Sequence, residues 1–143
     1  MLGCMPTSLP EVSAVIATKR VYEGSAASDG YRVMIDRLWP RGVSKARARL
    51  DAWAKDIAPS DDLRRWYEHD PLKWPEFQKR YKVELKAPAA RLVLDDLTHR
   101  ARAGLVTLVY SSRAAEISDV VVLAALLNRR LKRAKPARKA KPA

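Results

Sequence analysis

The chain has 143 residues, of which 48% are hydrophobic and 31% are charged, and its formal net charge is +12. This length and composition suffice for one hydrophobic core, and no run approaches the ~20 apolar residues of a membrane span. A single cysteine excludes an internal disulfide and a cysteine-rich zinc site. We therefore expect one domain without a membrane partner, located in the cytoplasm.

The positive charge is concentrated at the C-terminal end. Eight of the 28 basic residues lie beyond Asn128, in a stretch without any acidic residue. Like charges repel and Pro136 and Pro142 interrupt helices, so residues 133–143 are predicted to form a basic disordered tail. Residues 1–12 contain two prolines and no periodicity, which predicts a loose leader. Residues 13–132 are then predicted to be one domain.

The first half of the chain predicts three short strands and one short helix. Residues 15–18 and 20–22 form an interrupted first strand, and residues 31–38 form a second strand after the Asp29-Gly30 turn. Ser44 can cap a basic helix over residues 45–50. Residues 51–54 indicate a short third strand.

Two helices follow, and each has a recognisable start. Ser60 is predicted to cap the first, and Asp70-Pro71 to begin the second. The second helix carries large apolar side chains at helical spacing: Trp74, Phe77, Tyr81 and Leu85. This stripe favours a buried helix face over a surface on which bases stack. Pro88 is predicted to close this helix.

The last part of the chain predicts a helix, a central strand and a final helix. The helix over residues 89–103 should end at Gly104 in a left-handed cap. Its inward side chains are predicted to be Leu92, Val93, Leu97 and Ala101. Residues 105–110 are apolar enough for a strand covered on both faces, and residues 120–131 form the final helix. This alternation predicts an α/β fold, a small layered domain with a mostly parallel sheet of about four strands flanked by helices.

Ionisable side chains are clustered just beyond the second predicted strand, at Asp36, Arg37 and Arg41. Open α/β sheets bind ligands beyond the carboxyl ends of their strands. Arginine offers a planar fork of donors that suits phosphate or carboxylate, and Lys19 and Arg20 from the neighbouring strand could join it. This predicts an anion-binding pocket. The alternative is that Asp36 pairs with one arginine and only fastens the loop.

The run from Asp29 to Lys45 resembles the signature of the bacterial YeaO-like family, a domain of unknown function. The similarity continues through residues 50–60 and extends over roughly residues 18–128. It implies a small α/β domain and no established reaction. In that family the last strand is followed by Lys-Asp and then His-Asn-His, whereas this chain has Arg113-Ala114 and then Ile117-Ser118-Asp119. An activity that depends on the histidine cluster is therefore not expected here.

Catalytic alternatives are weakly supported. Ser111 or Ser112 could act as a nucleophile with His69 as base and Asp36 or Asp56 as orienting group, although no glycine-flanked elbow is present. Asp36, Asp51 or Asp56 could hold a hard cation. The histidines lack a second ligand at helical spacing, so no metal site and no cofactor is predicted.

The basic segments indicate nucleic acid, DNA in particular, as the partner, bound with little sequence preference because the contacts go to phosphates. The predicted contact residues are Lys19, Arg20, Arg37, Arg41, Lys45, Arg47, Arg49, Arg129, Arg130, Lys132 and Arg133. One alternative is an enzyme acting on a phosphorylated or nucleotide-like small molecule at the Asp36/Arg37/Arg41 pocket. Another is a protein-interaction module that uses Trp39 and Trp53. The oligomeric state stays open.

Overall fold

The computed structural model describes the backbone of residues 16–140 and the side chains of residues 16–133. Four parallel strands form one sheet: β1 (Ile16–Arg20), β2 (Tyr31–Met34), β3 (Ala52–Trp53) and β4 (Val106–Tyr110), in the spatial order β1-β4-β2-β3. The predicted α/β class with its parallel sheet is therefore confirmed. The predicted leader and nearly all of the predicted tail lie outside the residues whose side chains are described.

Five α-helices in the described part of the chain connect and cover the strands: α1 (Lys45–Ala48), α2 (Asp61–Tyr67), α3 (Trp74–Glu84), α4 (Pro88–Ala103) and α5 (Asp119–Ala140). The backbone of α5 continues nine residues beyond the predicted end at residue 131 and includes Pro136. The predicted caps form, since the side chains of Ser44 and Ser60 accept hydrogen bonds from backbone N–H groups of their own first turns, at 3.1 Å each. Asp70 does the same for the short turn that precedes α3. None of the helices in the described part of the chain could span a bilayer.

The sheet is covered on both faces. Val33, Ile35 and Leu108 belong to the main core, which α2 to α5 complete. Met34 and Val109 point the other way and pack against Ala48 of α1 in a smaller cluster. Successive strand residues alternate between faces, so β2 and β4 contribute to both clusters. Every residue of β4 is buried, as predicted for a central strand.

The second strand and the third helix differ at their ends from the prediction. β2 ends at Met34 rather than at residue 38; Ile35 still donates a backbone hydrogen bond to Val109 at 3.0 Å. Beyond it the chain leaves the sheet, so the predicted ionisable cluster lies in a loop. The buried aromatic face of α3 is confirmed by Phe77 and Tyr81. α3 ends at Glu84, and Pro88 opens α4 instead of closing α3.

The inward face of α4 matches the prediction except at Leu92. Leu97 and Ala101 are buried and Val93 packs against the main core, as predicted, whereas Leu92 is 72% exposed. Leu92 precedes Leu97 by five residues, which places it about 140° away around the helix. The helix ends at Gly104 as predicted, but the predicted left-handed cap is wrong, because a φ of 177° is extended backbone.

Candidate anion-binding site

The site lies at the carboxyl edge of the sheet, between β2 and β4. These strands are neighbours, and all four strands run in the same direction. After β2 the chain passes to the face covered by α1, and after β4 it enters α5 on the opposite face. Two connections that leave in opposite directions open a crevice, and a cavity of about 630 Å³ lies there.

Two carboxyl groups and a serine line the inner part of the cavity: Asp36, Asp119 and Ser111. Oδ2 of Asp36 accepts hydrogen bonds from the backbone N–H of Ser111 at 3.0 Å and from its hydroxyl at 2.5 Å. Burial raises the pKa of Asp36, and the two hydrogen bonds from Ser111 offset only part of that rise. No donor in the described part of the chain reaches Oδ1 of Asp36.

Asp119 is the first residue of α5 and its carboxyl group is coupled to that of Asp36. The pKa of Asp119 is raised to about 7, chiefly by burial and also by the nearby Asp36 charge, while backbone N–H groups of Asp119 and Val120 act in the opposite direction. The sequence reasoning did not select Asp119 as a site residue. A usable signal existed, since an acid that opens the helix after the central strand must lie at the same edge as Asp36.

Five arginine side chains surround the cavity: Arg20, Arg37, Arg41, Arg64 and Arg113. Arg20 donates to the carbonyl oxygens of Ser111 at 2.9 Å and Ser112 at 3.1 Å, which holds the loop after β4. The side chain of Arg37 donates to the Pro59 carbonyl at 3.3 Å and its Nε lies 3.8 Å from Asp61. Arg41 is exposed, and no acidic partner lies within 4 Å of it in the described residues. Sequence reasoning missed Arg64 and Arg113.

An aromatic ring stands between two of these arginines. Tyr22 is 47% exposed and lines the cavity. Its hydroxyl donates to the Arg41 carbonyl at 2.9 Å, and the Arg20 guanidinium lies 4.9 Å from its ring centre. The ring is thus held at its hydroxyl end and covered over one face by the guanidinium, and its exposed surface is where a planar group can stack.

The predicted serine–histidine–aspartate arrangement forms only in part: Ser112, one of the two candidate nucleophiles, contacts His69, but no carboxylate among the described residues is hydrogen-bonded to that imidazole. Nε2 of His69 lies 3.2 Å from the hydroxyl of Ser112, whereas Asp36 binds Ser111. The two serines are consecutive and engage different partners, so Ser111 is held by the carboxylate and not by the imidazole. Asp56 does not line the cavity. His69 reaches the cavity because the backbone of Glu68 and His69 has positive φ values of 46° and 54°.

The acidic residues considered for a hard cation are not brought together. Asp51 lies at the start of β3, where its carboxylate accepts from the Arg32 backbone N–H at 2.8 Å. Asp51 and Asp56 both lie outside the cavity that Asp36 lines. Among residues 16–133, no three histidine, cysteine, aspartate or glutamate side chains are grouped as metal ligands would be.

The predicted basic residues near β1 and α1 have different surroundings. Lys19 does not line the cavity and forms an ion pair with Asp29 at 3.2 Å, alongside buried Arg32, whose guanidinium lies 2.6 Å from the same carboxylate. Adjacent strand residues point to opposite faces, which separates Lys19 from Arg20.

Exposed basic residues continue from Arg41 along the chain, with no acid within 4 Å among the described residues: Lys45, Arg47 and Arg49.

The basic residues of α5 lie away from the cavity. Arg130 follows Asp119 by eleven positions, a rise of roughly 16 Å along a helix. Its guanidinium pairs with Asp95 of α4 at 2.7 Å. Arg129, Lys132 and Arg133 are exposed. The structure therefore brings Arg20, Arg37 and Arg41 together and leaves the α5 group as a separate basic surface.

The two tryptophans considered for a protein interface are engaged inside the molecule. Trp39 and Trp53 form an edge-to-face pair with ring centres 5.2 Å apart. Both indole N–H groups donate to backbone carbonyls at 2.6 Å, those of Val43 and Asp36. The rings are half-buried against the smaller core cluster, so they shape the loop after β2.

Comparison with known proteins identifies the family. Residues 15–143 match the DUF488-N3i family model, described as the inactive DUF488-N3 subclade. The chain is 44% identical over 115 residues to the uncharacterized protein Rv3073c of Mycobacterium tuberculosis, a match that covers 80% of this chain and 95% of that protein. The uncharacterized protein YeaO of Escherichia coli is 38% identical over 112 residues, covering 76% of this chain and 93% of YeaO. No solved structure matches it. The chain is a YeaO-like protein and belongs to the DUF488-N3i family.

Proposed function

We propose that this protein binds nucleic acid, DNA in particular, with little sequence preference, and that the arginine-lined cavity is the centre of the contact surface. The observation that carries the proposal is the convergence of five arginines around one cavity at the carboxyl edge of the sheet. Phosphate oxygens are the natural partners of such guanidinium groups. The cytoplasm, where nucleic acid is accessible in a bacterium, is the proposed location.

The charges that the proposal needs are largely unpaired. Arg41 has no acidic neighbour within 4 Å among the described residues. Arg37 pairs weakly with Asp61, at 3.8 Å, because this half-exposed carboxylate lies closer to Arg64, at 2.9 Å. Exposed pairs of this kind contribute little and are readily exchanged for a phosphate. Lys45, Arg47 and Arg49 extend the positive surface along the chain from Arg41. A backbone of several phosphates could therefore follow this surface.

A protein that binds its ligand without catalysing a reaction is consistent with the description of the matching family. The matching family model is described as an inactive subclade. In this chain Ile117-Ser118-Asp119 occupies the position at which the resemblance implies a His-Asn-His cluster. Arginines that bind phosphate and the absence of that cluster together favour recognition over chemistry.

Fluorescence anisotropy with labelled single-stranded and duplex DNA tests the proposal at about 50 mM and about 200 mM salt. Arg37→Ala/Arg41→Ala should weaken binding and lower the slope of log affinity against log salt by about 2, because two phosphate contacts are lost. The matched control is Arg91→Ala/Arg102→Ala, which removes the same charge from exposed positions on α4. Equal losses of affinity in the two variants would show that the effect comes from net charge and not from the cavity. No binding at the lower salt would overturn the proposal.

A chain that ends at Arg133 separates the cavity from the basic C-terminal residues. Truncation removes Lys135, Arg138, Lys139 and Lys141. Because these charges add phosphate contacts, we expect a severalfold loss of affinity for long DNA. The Arg37/Arg41 effect should persist in the truncated chain.

One observation favours a second candidate, an enzyme acting on a phosphorylated or nucleotide-like small molecule. Asp119, with a pKa of about 7 beside Asp36, has the protonation behaviour of a general acid or base. Incubation with nucleoside phosphates, followed by product detection by NMR, tests this. Product formation that is lost in Asp119→Asn, while the variant stays folded, supports an enzyme. No product from any nucleotide supports a binding function.

A further inference from the structure

Side chains of both charge signs line the cavity. Five arginines line it together with Ser111 and the carboxyl groups of Asp36 and Asp119. A phosphate placed against two carboxylates would be repelled, so the phosphate of a ligand must lie against the arginines. Whatever faces the carboxyl groups must instead bring hydrogen-bond donors.

The carboxylate oxygens of Asp36 and Asp119 accept few hydrogen bonds from the protein itself. Both hydrogen bonds of Ser111 go to Oδ2 of Asp36, and no donor in the described residues reaches Oδ1. Asp119 has only backbone N–H groups at its own helix start as partners within the described part of the chain. Both side chains line a cavity of about 630 Å³, which accommodates a nucleotide.

The exposed ring of Tyr22 supplies the third element. It stands between the guanidinium of Arg20 and the backbone of Arg41, where it can stack on a planar group. A stacked base is worth about 1–3 kcal/mol and the interaction tolerates any base. Base identity would therefore be read at the carboxyl groups and not at the ring.

We infer that the cavity takes an unpaired nucleotide whose base carries an exocyclic amino group, with its phosphate on the arginines, its ring on Tyr22 and its amino group donating to Asp36 and Asp119. Carboxylates accept well from the amino group of cytosine, and adenine also offers an amino donor on its pairing edge. Uracil and thymine present carbonyl oxygens at the equivalent position, where a carboxylate repels them. The inference rests on the proposed function, because it requires that the arginines bind phosphate.

Two sources could supply this nucleotide: a free nucleoside phosphate, or an unpaired position in a nucleic-acid strand. Calorimetry with CMP and UMP measures the first. Anisotropy with homopolymers of deoxycytidine, deoxyadenosine and thymidine of equal length measures the second. Both are carried out on the full chain near pH 8, above the pKa of about 7 of Asp119.

We expect cytosine and adenine ligands to bind at least about tenfold more tightly than uracil and thymine ligands, the factor of one well-placed hydrogen bond to a charged group. Asp119→Asn should reduce this preference at least about threefold, since an amide also donates to a carbonyl, while retaining salt-dependent binding. Asp36→Asn should act in the same direction. Arg91→Ala is the matched control and should leave the preference unchanged. The thermal transition of each variant shows whether it is folded.

The outcomes distinguish the inference from the function on which it rests. A preference seen with mononucleotides identifies a free nucleotide, and one confined to oligonucleotides identifies an unpaired base; either supports the inference. Equal, salt-dependent binding of all three homopolymers overturns it and leaves nucleic-acid binding standing. A preference that survives both carboxyl substitutions also overturns it. No binding of any oligonucleotide at low salt overturns the proposed function itself.

Discussion

Asp36 and Ser111, 75 residues apart in the chain, are joined by two hydrogen bonds to one carboxylate oxygen, from the Ser111 N–H at 3.0 Å and from its hydroxyl at 2.5 Å. Asp36 follows β2 and Ser111 follows β4, so the pair links the ends of two neighbouring strands. The same pair orients a carboxyl group that lines the cavity. Local stability and the site therefore depend on one contact.

Ser111→Ala removes the hydroxyl donor and keeps the backbone one. Both hydrogen bonds from Ser111 lower the pKa of Asp36, so losing one should raise that pKa. We also expect the free energy of unfolding to fall by about 1 kcal/mol. NMR titration of the Asp36 carboxyl carbon and urea unfolding measure the two effects. Ser112→Ala is the control, and an unchanged pKa in Ser111→Ala would contradict the prediction.

The stability of the protein should decline between about pH 4 and about pH 7 because of Asp119. Its pKa is raised from 3.8 to about 7 in the folded protein. Within that range the folded chain keeps a proton that the unfolded chain has lost, so the free energy of unfolding falls as pH rises. The contribution lost between about pH 5 and about pH 8 is on the order of 2 kcal/mol.

Asp119→Asn tests this assignment, because an amide does not titrate. Urea unfolding of both proteins at the two pH values should show a smaller loss of stability in the variant. Titrating groups that do not interact with Asp119 are common to the two proteins and cancel in the difference, which therefore reports on Asp119 and on Asp36, the carboxyl group coupled to it. Identical pH dependence of wild type and variant would exclude Asp119 as the source.

Among the four glycines of the described residues, Gly30 is the one with least room for a methyl group. Its φ is +67°, and an added Cβ would lie 2.4 Å from the Leu105 carbonyl oxygen. That carbonyl accepts the Tyr31 N–H at 3.0 Å, so it cannot move without disturbing the start of β2. Gly30→Ala should cost at least about 2 kcal/mol of stability.

Gly104→Ala is the matched control for Gly30. Gly104 has extended backbone, and no atom would lie within 4 Å of an added Cβ. Thermal unfolding should place this variant within about 0.5 kcal/mol of the wild type. A loss as large as that of Gly30→Ala would show that contact with Leu105 is not the cause.

Tyr81 anchors α3 through its hydroxyl. The side chain is fully buried, and its hydroxyl donates to the backbone carbonyl of Ile57. Tyr81→Phe leaves that carbonyl without its donor and should lower the free energy of unfolding by about 1–3 kcal/mol. Tyr22→Phe removes an exposed hydroxyl bond and should cost well under about 1 kcal/mol by the same urea measurement. Equal losses of stability in the two variants would mean that burial of the hydroxyl does not determine how much its hydrogen bond contributes.

Tyr22 also tests the stacking surface. Tyr22→Ala should weaken binding of single-stranded DNA by roughly tenfold, since a stacked base contributes about 1–3 kcal/mol. Tyr22→Phe keeps the ring and should bind nearly as the wild type does. Anisotropy under fixed salt measures both variants. Equal affinity of Tyr22→Ala and the wild type would remove Tyr22 from the contact surface.

Local patterns in the sequence predicted most elements of this fold, because each pattern depends on residues within one or two turns of each other. The helix starts at Ser60 and Asp70, the buried face of α3 and the central position of β4 are all of this kind. One error arose where two leucines competed for the same face. In α4, the pattern places Leu92 on the buried face together with Leu97, whereas Leu94 is the leucine that is buried there.

The candidate site was predicted in part, for the same reason. Asp36, Arg37 and Arg41 lie within six residues directly after a strand, so their place at the edge of a parallel sheet follows from the sequence. Tyr22 and Arg64 come from distant segments, and nothing local marks them as neighbours of this loop; Asp119 could have been found only from its place at the start of the helix after the central strand. Ser112 rather than Ser111 meets His69 because of how the loop after β4 turns.

The sequence by itself determined the α/β class, the main helices and the location of an arginine-rich loop, because hydrophobic periodicity, capping residues and turn residues act over short distances. Only the tertiary structure decided which charges share a cavity. The strand order β1-β4-β2-β3 brings Arg20, Asp36 and Asp119 together, while Lys19 is paired with Asp29 and Arg130 with Asp95. Such pairings depend on strand order and helix packing, which connect residues far apart in the chain and so leave no local signature.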